Sequence, residues 1–350
     1  MKVSEFDYIL PKSRIAQFPI KEREKSRLMV LDRRKKAIEH TLFFRIIDYL
    51  KETDIIVLNN TKVIPARLLG KKENTGGRIE VLLINKRSKD IWEVLIKPLA
   101  RVSEGTRIIF GKGELVGKII EKKPDRGVIL FEYDKDFYKT LSKYGFVPLP
   151  PYIKRNYGES GYTPFYALDK RAYQTVFANQ KGSVAAPTAG LHFTKRLLNN
   201  IRERGIEIIT ITLHIGYGTF EPIRVIKVED HRMDKEFYNI DEFAKSRINR
   251  ASRNGKRVIA VGTTSLRVLE TSVNSEGGVI KPSGYTDLFI YPGYRFKLVN
   301  ALLTNFHLPR STLLMLVCAF GGKDFILRAY KEAIKKEYRF YSYGDAMLLL

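Results

Sequence analysis

Phe296-Lys297-Leu298-Val299-Asn300-Ala301-Leu302-Leu303 runs into Thr304-Asn305-Phe306-His307-Leu308-Pro309-Arg310-Ser311-Thr312, and a second apolar run, Leu313 to Phe320, follows. The first run reads as a strand and the last as a buried helix, so the polar block falls where a strand ends. In open α/β sheets ligands bind outside the carboxyl ends of strands. Asn, His, Arg, Ser and Thr gathered at such an end point to chemistry more than to folding.

Three other segments repeat the arrangement. Ser183 to Ala186 runs into Pro187-Thr188-Ala189-Gly190-Leu191-His192-Phe193-Thr194, after which Lys195 to Arg204 reads as a helix with Thr194 as its N-cap. Alternating Ile206 to Leu213 ends in His214-Ile215-Gly216-Tyr217-Gly218-Thr219-Phe220-Glu221-Pro222. Lys256 to Val261 ends in Gly262-Thr263-Thr264-Ser265, with a helix from Leu266 to about Val273. Solubility alone does not explain four such ends.

Before these segments, Ser26 to Asp32 and Asp54 to Asn59 read as strands flanking a helix from Leu42 to Leu50. From Gly70 to Phe131 the texture changes to short β-like runs: Arg78 to Ile84, Ile91 to Ile96, Arg107 to Phe110, Leu115 to Ile120 and Gly127 to Phe131. Even spacing without intervening helices predicts a small antiparallel barrel. The prolines of Pro148-Leu149-Pro150-Pro151 forbid helix and mark its end. The expected architecture is an α/β domain, residues 1–66 and 152–350, interrupted by an inserted β-barrel at 67–151. Lys154 to Lys170 has no clear periodicity and reads as a loop over a site or along a nucleic acid.

Composition narrows the partner. Lys and Arg total 62 against 38 Asp and Glu, a net charge of +24, which favours an extended polyanion, nucleic acid first. A lysine-rich surface of the heat-adapted kind would carry matching Glu, and here the excess is one-sided. The single cysteine, Cys318, can form no internal disulfide. A reducing cytoplasm is the expected location: Met1 to Tyr8 shows no signal-peptide pattern, and Leu313 to Phe320 is too short to span a bilayer. Without a heptad or a broad apolar stripe, a monomer is expected.

The motifs suggest chemistry of their own. Gly216-Tyr217-Gly218 follows a strand but lacks the third glycine and the helix of a dinucleotide fingerprint. Its glycines suit close backbone approach to a ligand, with Tyr217 or Phe220 available to stack on a base, or else a plain tight turn. Gly262 to Ser265 before a helix offers N–H groups to a carboxylate or phosphate, and Arg267 one turn on could clamp a carboxylate; the Thr and Ser are also ordinary caps. Of five histidines, His192, His214 and His307 fall in strand-end motifs, where proton transfer is their natural use. His231, with Asp234, lacks the spacing of a metalloprotease, and no metal site is expected.

Taken together, Ala185 to Thr194, Thr212 to Phe220, Ala260 to Arg267 and Thr304 to Thr312 resemble the signature blocks of the S-adenosylmethionine:tRNA ribosyltransferase-isomerases of queuosine biosynthesis. Leu58 to Leu68, Pro148 to Ile153, Tyr173 to Ala178 and Tyr338 to Met347 match in the same order, so the resemblance covers nearly the whole chain. One departure is Asp234, where the family pattern His-x-Met-His-x-Glu has a second histidine; this shifts weight to His231 and Glu236.

The resemblance implies that S-adenosylmethionine is a consumed co-substrate, with no cofactor or metal required. Its ribosyl part passes to 7-aminomethyl-7-deazaguanine at the tRNA wobble position, giving epoxyqueuosine-tRNA while adenine and methionine leave. It further implies His192 or His214 as base, and His307 or Asp287 as proton donor to adenine. Arg267 with Thr263 and Thr264 is expected on the methionine carboxylate, and Tyr217 and Phe220 on adenine or deazaguanine. Asn305 and Arg310 are expected on the ribose or tRNA backbone, and Thr188 joins the substrate-binding set. Two rivals remain distinguishable: an S-adenosylmethionine-dependent RNA methyltransferase, which would release S-adenosylhomocysteine, and a non-catalytic RNA-binding protein, which would turn nothing over.

Overall fold

The computed structural model describes residues 1–155, 163–216, 218 and 223–350. Its frame is a nine-stranded sheet ordered Ser283–Thr286, Glu236–Asn239, Glu207–Leu213, Ile55–Asn59, Val258–Val261, Ala301–Asn305, Ala346–Leu349, Arg27–Asp32 and Ala37–Leu42. The four strands from Glu207–Leu213 to Ala301–Asn305 run parallel, so their carboxyl ends share one edge. Ala346–Leu349 runs antiparallel to Ala301–Asn305 and begins at that same edge, with Ala346 opposite Asn305.

Side-chain alternation explains why this sheet is buried on both sides. In Ile55–Asn59, Ile55 and Val57 join one core while Ile56 and Leu58 join the other; Val258 and Ala260 divide in the same way from Ile259 and Val261. The first face is covered by the helices Glu242–Arg253, Thr263–Ser272, Thr312–Gly321 and Lys323–Lys335, the second by Lys195–Glu203 and the 3-10 turns of Phe43–Tyr49. Thr194 caps Lys195–Glu203 as the sequence predicts, accepting from Leu197 N at 3.0 Å.

The expected barrel is present and closed. Arg67–Lys72, Arg78–Lys86, Ile91–Lys97, Gly127–Tyr133, Leu115–Lys122 and Arg107–Phe110 pair antiparallel in that spatial order, and Arg107–Phe110 returns to pair with Arg67–Lys72. Ile79, Val81, Trp92, Val94, Ile129 and Phe131 fill its interior. The helix Phe137–Tyr144, capped by Asp136, sets Phe137 and Leu141 against that interior.

Four local expectations are corrected. Leu42 to Leu50 forms 3-10 turns rather than an α-helix, and a strand at Ala37–Leu42 precedes them. The strand predicted from Phe296 begins only at Ala301, because the N–H groups of Lys297, Leu298 and Val299 donate to the buried Glu270 carboxylate at 2.8, 3.1 and 3.0 Å instead of to a neighbouring strand. Gln180–Ser183 pairs with Thr61–Val63 in a separate two-stranded ladder, so this segment reaches the sheet edge from outside the sheet. The unpatterned stretch contains a helix, Tyr166–Ala172, and its residues 156–162 lie outside the described residues.

Candidate active site at the carboxyl edge of the sheet

Three parallel strands lead to one recess, two of them delivering polar groups. Ala301–Asn305 supplies Thr304 and Asn305, Val258–Val261 leads to Gly262, Thr263 and Thr264, and Glu207–Leu213 leads through His214 to Ile215. Tyr152, Thr188, His307, Ser311, Tyr341 and Ser342 complete the polar part of the wall. Asn59, at the end of the fourth strand, braces this edge from behind: its Nδ2 donates to Leu213 O and Thr264 Oγ1, and its Oδ1 accepts from Leu213 N and Thr61 N.

Two helices start at this recess. Thr263–Ser272 begins directly after Gly262, which holds φ +87°, so Thr263 and Thr264 lie inside its first turn rather than before it. Thr312–Gly321 is capped by Ser311, whose Oγ accepts from Leu314 N at 3.2 Å. Each first turn presents N–H groups at a positive dipole end, so an anion is favoured between them.

Asn305 sits at the centre of a network. Its Oδ1 accepts from Thr188 Oγ1 at 3.0 Å, while its Nδ2 donates to Tyr341 O at 3.2 Å and faces His192 Nε2 at 3.1 Å. With the amide oriented by that carbonyl, His192 Nε2 must accept, which leaves the proton on Nδ1 for Ser26 Oγ at 2.7 Å. Phe43 stacks on the ring. Burial, with the Arg23 and Arg339 charges, pushes the His192 pKa down to about 3, consistent with a neutral ring behind Asn305.

His307 does line the recess. Its Nε2 is 2.8 Å from Thr304 Oγ1, and its main chain is fixed by Tyr330 OH, which accepts from His307 N, and by Tyr8 OH, which donates to His307 O. Nδ1 has no partner among the described residues, and burial pushes this pKa to about 3 as well. His214 lies on the far side of Ile215, in a cleft facing the barrel, with Nδ1 2.8 Å from Thr61 Oγ1; burial lowers its pKa. The three strand-end histidines therefore do not converge on one point.

Other expected residues are placed differently. Arg267 is buried and ion-paired with Glu236, and its Nε donates to Leu288 O at 2.9 Å, so its guanidinium is turned away from the carboxylate role. Arg310 is exposed and paired with Asp7. Asp287 is exposed, just after Ser283–Thr286, and outside the recess. His231 packs edge-on against Phe289, and burial lowers its pKa while Asp234 opposes the shift. Tyr217 and Phe220 lie outside the described residues. Among the described residues no group of three or more His, Cys, Asp or Glu is placed to hold a metal ion, and no helix is long and apolar enough to cross a membrane.

Sequence reasoning missed Ser26, Asn59 and Asp345, and it placed Ser311 in the polar block without its role as a helix cap. Asp345 accepts from Arg27 N and Arg339 N at 3.0 and 2.8 Å, fixing the turn that brings Tyr341 to the recess. Only Ser311 carried a local signal, a Ser directly before a helical run.

A mixed sheet with four parallel strands at its centre, a recess at their carboxyl edge fed by two helix N-termini, and a closed barrel alongside define a mixed α/β ligand-binding protein of two architectural parts. Residues 3–349 match the family described as queuosine biosynthesis protein, and the chain belongs to that family. The S-adenosylmethionine:tRNA ribosyltransferase-isomerase of Halothermothrix orenii is 53% identical over 352 residues, covering 100% of both chains. That of Caldanaerobacter subterraneus subsp. tengcongensis is 52% identical over 351 residues, again covering 100% of both. The crystal structure of S-adenosylmethionine tRNA ribosyltransferase from Thermotoga maritima is similar at a TM-score of 0.55 and 36% identity, over 99% of this chain and 100% of that one. The family resemblance drawn from the motifs is borne out.

Proposed function

We propose that this chain transfers and isomerises the ribosyl part of S-adenosylmethionine onto 7-aminomethyl-7-deazaguanine at the wobble position of tRNA, giving epoxyqueuosine-tRNA with release of adenine and methionine. The observation that carries this reading is the meeting of two helix N-termini with the Thr188–Asn305 pair in one recess, in a chain that matches its family from residue 3 to 349. The excess of basic residues supports tRNA as partner.

The sulfonium acidifies the ribose C5′–H; loss of that proton gives an ylide, ring opening expels adenine, and the RNA amine attacks before the sugar recloses with departure of methionine. The first turns at Thr263 and Ser311 suit the methionine carboxylate, in place of Arg267. His307 lines the recess with Nδ1 unpartnered among the described residues, which suits it to take the acidified C5′ proton, although burial weakens the ring as a base. The imidazolium so formed is placed to return the proton to the departing adenine, so one ring serves both transfers. Thr188 and Asn305 suit the ribose hydroxyls, and His192 holds Asn305 in place. S-adenosylmethionine is consumed rather than recycled, and the chemistry calls for no further cofactor. A monomer acting in the cytoplasm fits these requirements.

Mass spectrometry of purified protein with S-adenosylmethionine and an anticodon stem-loop bearing the aminomethyl base tests the reading. Adenine and methionine released in step with an RNA mass gain is the expected result. S-adenosylhomocysteine with a methyl-sized gain would replace it with methyl transfer, and an unchanged mixture would leave RNA binding alone.

A further inference from the structure

A second cavity, of about 390 Å³, lies between the barrel and the large sheet. The barrel contributes Lys86 and, from the helix after its last strand, Tyr138; the sheet side contributes Lys181, His214, Phe237 and Tyr285. Phe237 and Tyr285 are 37% and 67% exposed, although their ring centroids are only 5.6 Å apart. The His214 ring lies near-parallel to Phe237, at 25°. The two rings, on neighbouring strands, meet edge to face at 68°, so a flat ligand would stack on one and meet the edge of the other.

The charge around this surface is of one sign. Lys86 and Lys181 place Nζ 5.7 and 5.9 Å from the Tyr138 ring centre, from opposite architectural parts, and Lys235 joins them on the rim. The one acidic side chain in the lining, Glu236, is engaged by Arg267 and by Gly216 N. Aromatic faces ringed by lysines are the construction used for unstacked bases of single-stranded nucleic acid: rings take the base and ammonium groups take the backbone. At Gly182 a Cβ would stand 2.8 Å from the His214 ring, so the backbone approaches that ring as closely as glycine allows.

Position completes the case. Ile215 walls both this cleft and the recess at the sheet edge, with its N–H held by Ser183 Oγ at 2.9 Å. We infer that the cleft takes the flipped-out wobble base of the RNA, stacked on the more exposed Tyr285 ring and against the edge of Phe237 with its flanking phosphates on Lys86 and Lys181, and that its aminomethyl arm reaches over Ile215 into the recess. The inference rests on the proposed reaction for the identity of the base, and on the cleft alone for the stacking.

The test compares two anticodon stem-loops, one bearing 7-aminomethyl-7-deazaguanine and one abasic at the wobble position, on the wild-type protein and on the Phe237→Ala/Tyr285→Ala variant. Circular dichroism and the unfolding midpoint check that the variant keeps the wild-type fold. The wild type is expected to prefer the base-bearing loop by about tenfold, the worth of one stacked base. The variant is expected to bind both loops alike while its S-adenosylmethionine affinity by calorimetry stays within about twofold. A variant that keeps the wild-type preference overturns the inference, as does one that loses S-adenosylmethionine affinity in parallel. Lys86→Gln/Lys181→Gln should weaken both loops equally, and no weakening overturns the phosphate part. None of these readouts requires turnover, so a wild type that releases no adenine would overturn the proposed reaction without touching the stacking result.

Discussion

Asn305 Nδ2 faces His192 Nε2 at 3.1 Å across 113 residues of sequence, and this contact fixes the histidine as a neutral acceptor. A protonated His192 would carry a hydrogen on both ring nitrogens, setting one against the amide hydrogens of Asn305. Since Asn305 in turn accepts from Thr188, protonation at one buried ring would disturb the wall of the recess.

The first prediction is a pH dependence of stability. His192 and His307 have folded pKa values near 3 against an ordinary value of 6.5, so between these limits the unfolded chain binds more protons than the folded one. Stability from these neutral rings is fully present above the unfolded value and is lost as pH falls toward the folded one. Each ring contributes a slope of up to about 1.4 kcal/mol per pH unit. Urea unfolding of His192→Gln, followed from about pH 6 to pH 4.5, should show a shallower acid loss than the wild type by up to that amount. Identical slopes would mean that His192 is not held neutral.

A second prediction concerns Arg267. The guanidinium and the Glu236 carboxylate are both 4% exposed and face each other. Removing one partner leaves a buried charge uncompensated, at a cost of about 3–5 kcal/mol. Arg267→Ala should therefore lower the unfolding midpoint sharply, and Arg267→Met/Glu236→Gln should recover much of it. If Arg267→Ala instead raised KM for S-adenosylmethionine at unchanged stability, the carboxylate role expected from sequence would be reinstated.

The contrast between Thr194 and Arg267 shows what sequence can carry. Thr194 is legible as a cap because its partner, Leu197 N, is three residues away; Glu236 is 31 residues from Arg267, and no local pattern announces the pair. Short continuous apolar runs made the central strands readable, because both their faces are buried, and alternation at a period of two made the barrel strands readable. Such patterning failed at Phe296 to Val299, where the apolar run is real but the backbone hydrogen bonds go to Glu270, and at Ala37–Leu42, an edge strand with no fully buried position. Thr188, Thr263, Asn305 and His307, each taken from an edge motif, line one recess. The motifs could not separate His214 from it, because the separation is made by Ile215 and by the approach of the barrel, both tertiary facts.

A third prediction separates an RNA-binding barrel from a purely structural one. Lys71, Lys72 and Lys97 line a broad hollow on the barrel surface with Arg78. If the anticodon arm lies there, each phosphate contact releases counterion, and affinity falls linearly on a logarithmic salt axis. Replacing Lys71, Lys72 and Lys97 by Gln should reduce the magnitude of that slope by about one per lost contact. Circular dichroism would confirm that the barrel is intact. A slope equal to the wild type would make this face structural and confine RNA contact to other surfaces.

The last prediction tests the helix start at Gly262. Its φ of +87° places it where an L side chain is strained, and a Cβ there would stand 3.5 Å from Thr264 Oγ1 and 3.8 Å from Ala189, on the recess wall. Gly262→Ala therefore has two separable consequences. The backbone strain should cost about 1–2 kcal/mol of stability, visible as a lower unfolding midpoint. Any adjustment that relieves it rotates the first-turn N–H groups of Thr263 and Thr264 away from the bound anion, so S-adenosylmethionine affinity should fall together with its carboxylate dependence. The control ligand is the methyl ester of S-adenosylmethionine, which lacks the anionic carboxylate. Wild type should bind the ester more weakly than the acid, and Gly262→Ala should narrow the difference. A variant that is destabilised but keeps the full acid-over-ester preference would take the carboxylate away from this helix start and leave it to the one capped by Ser311.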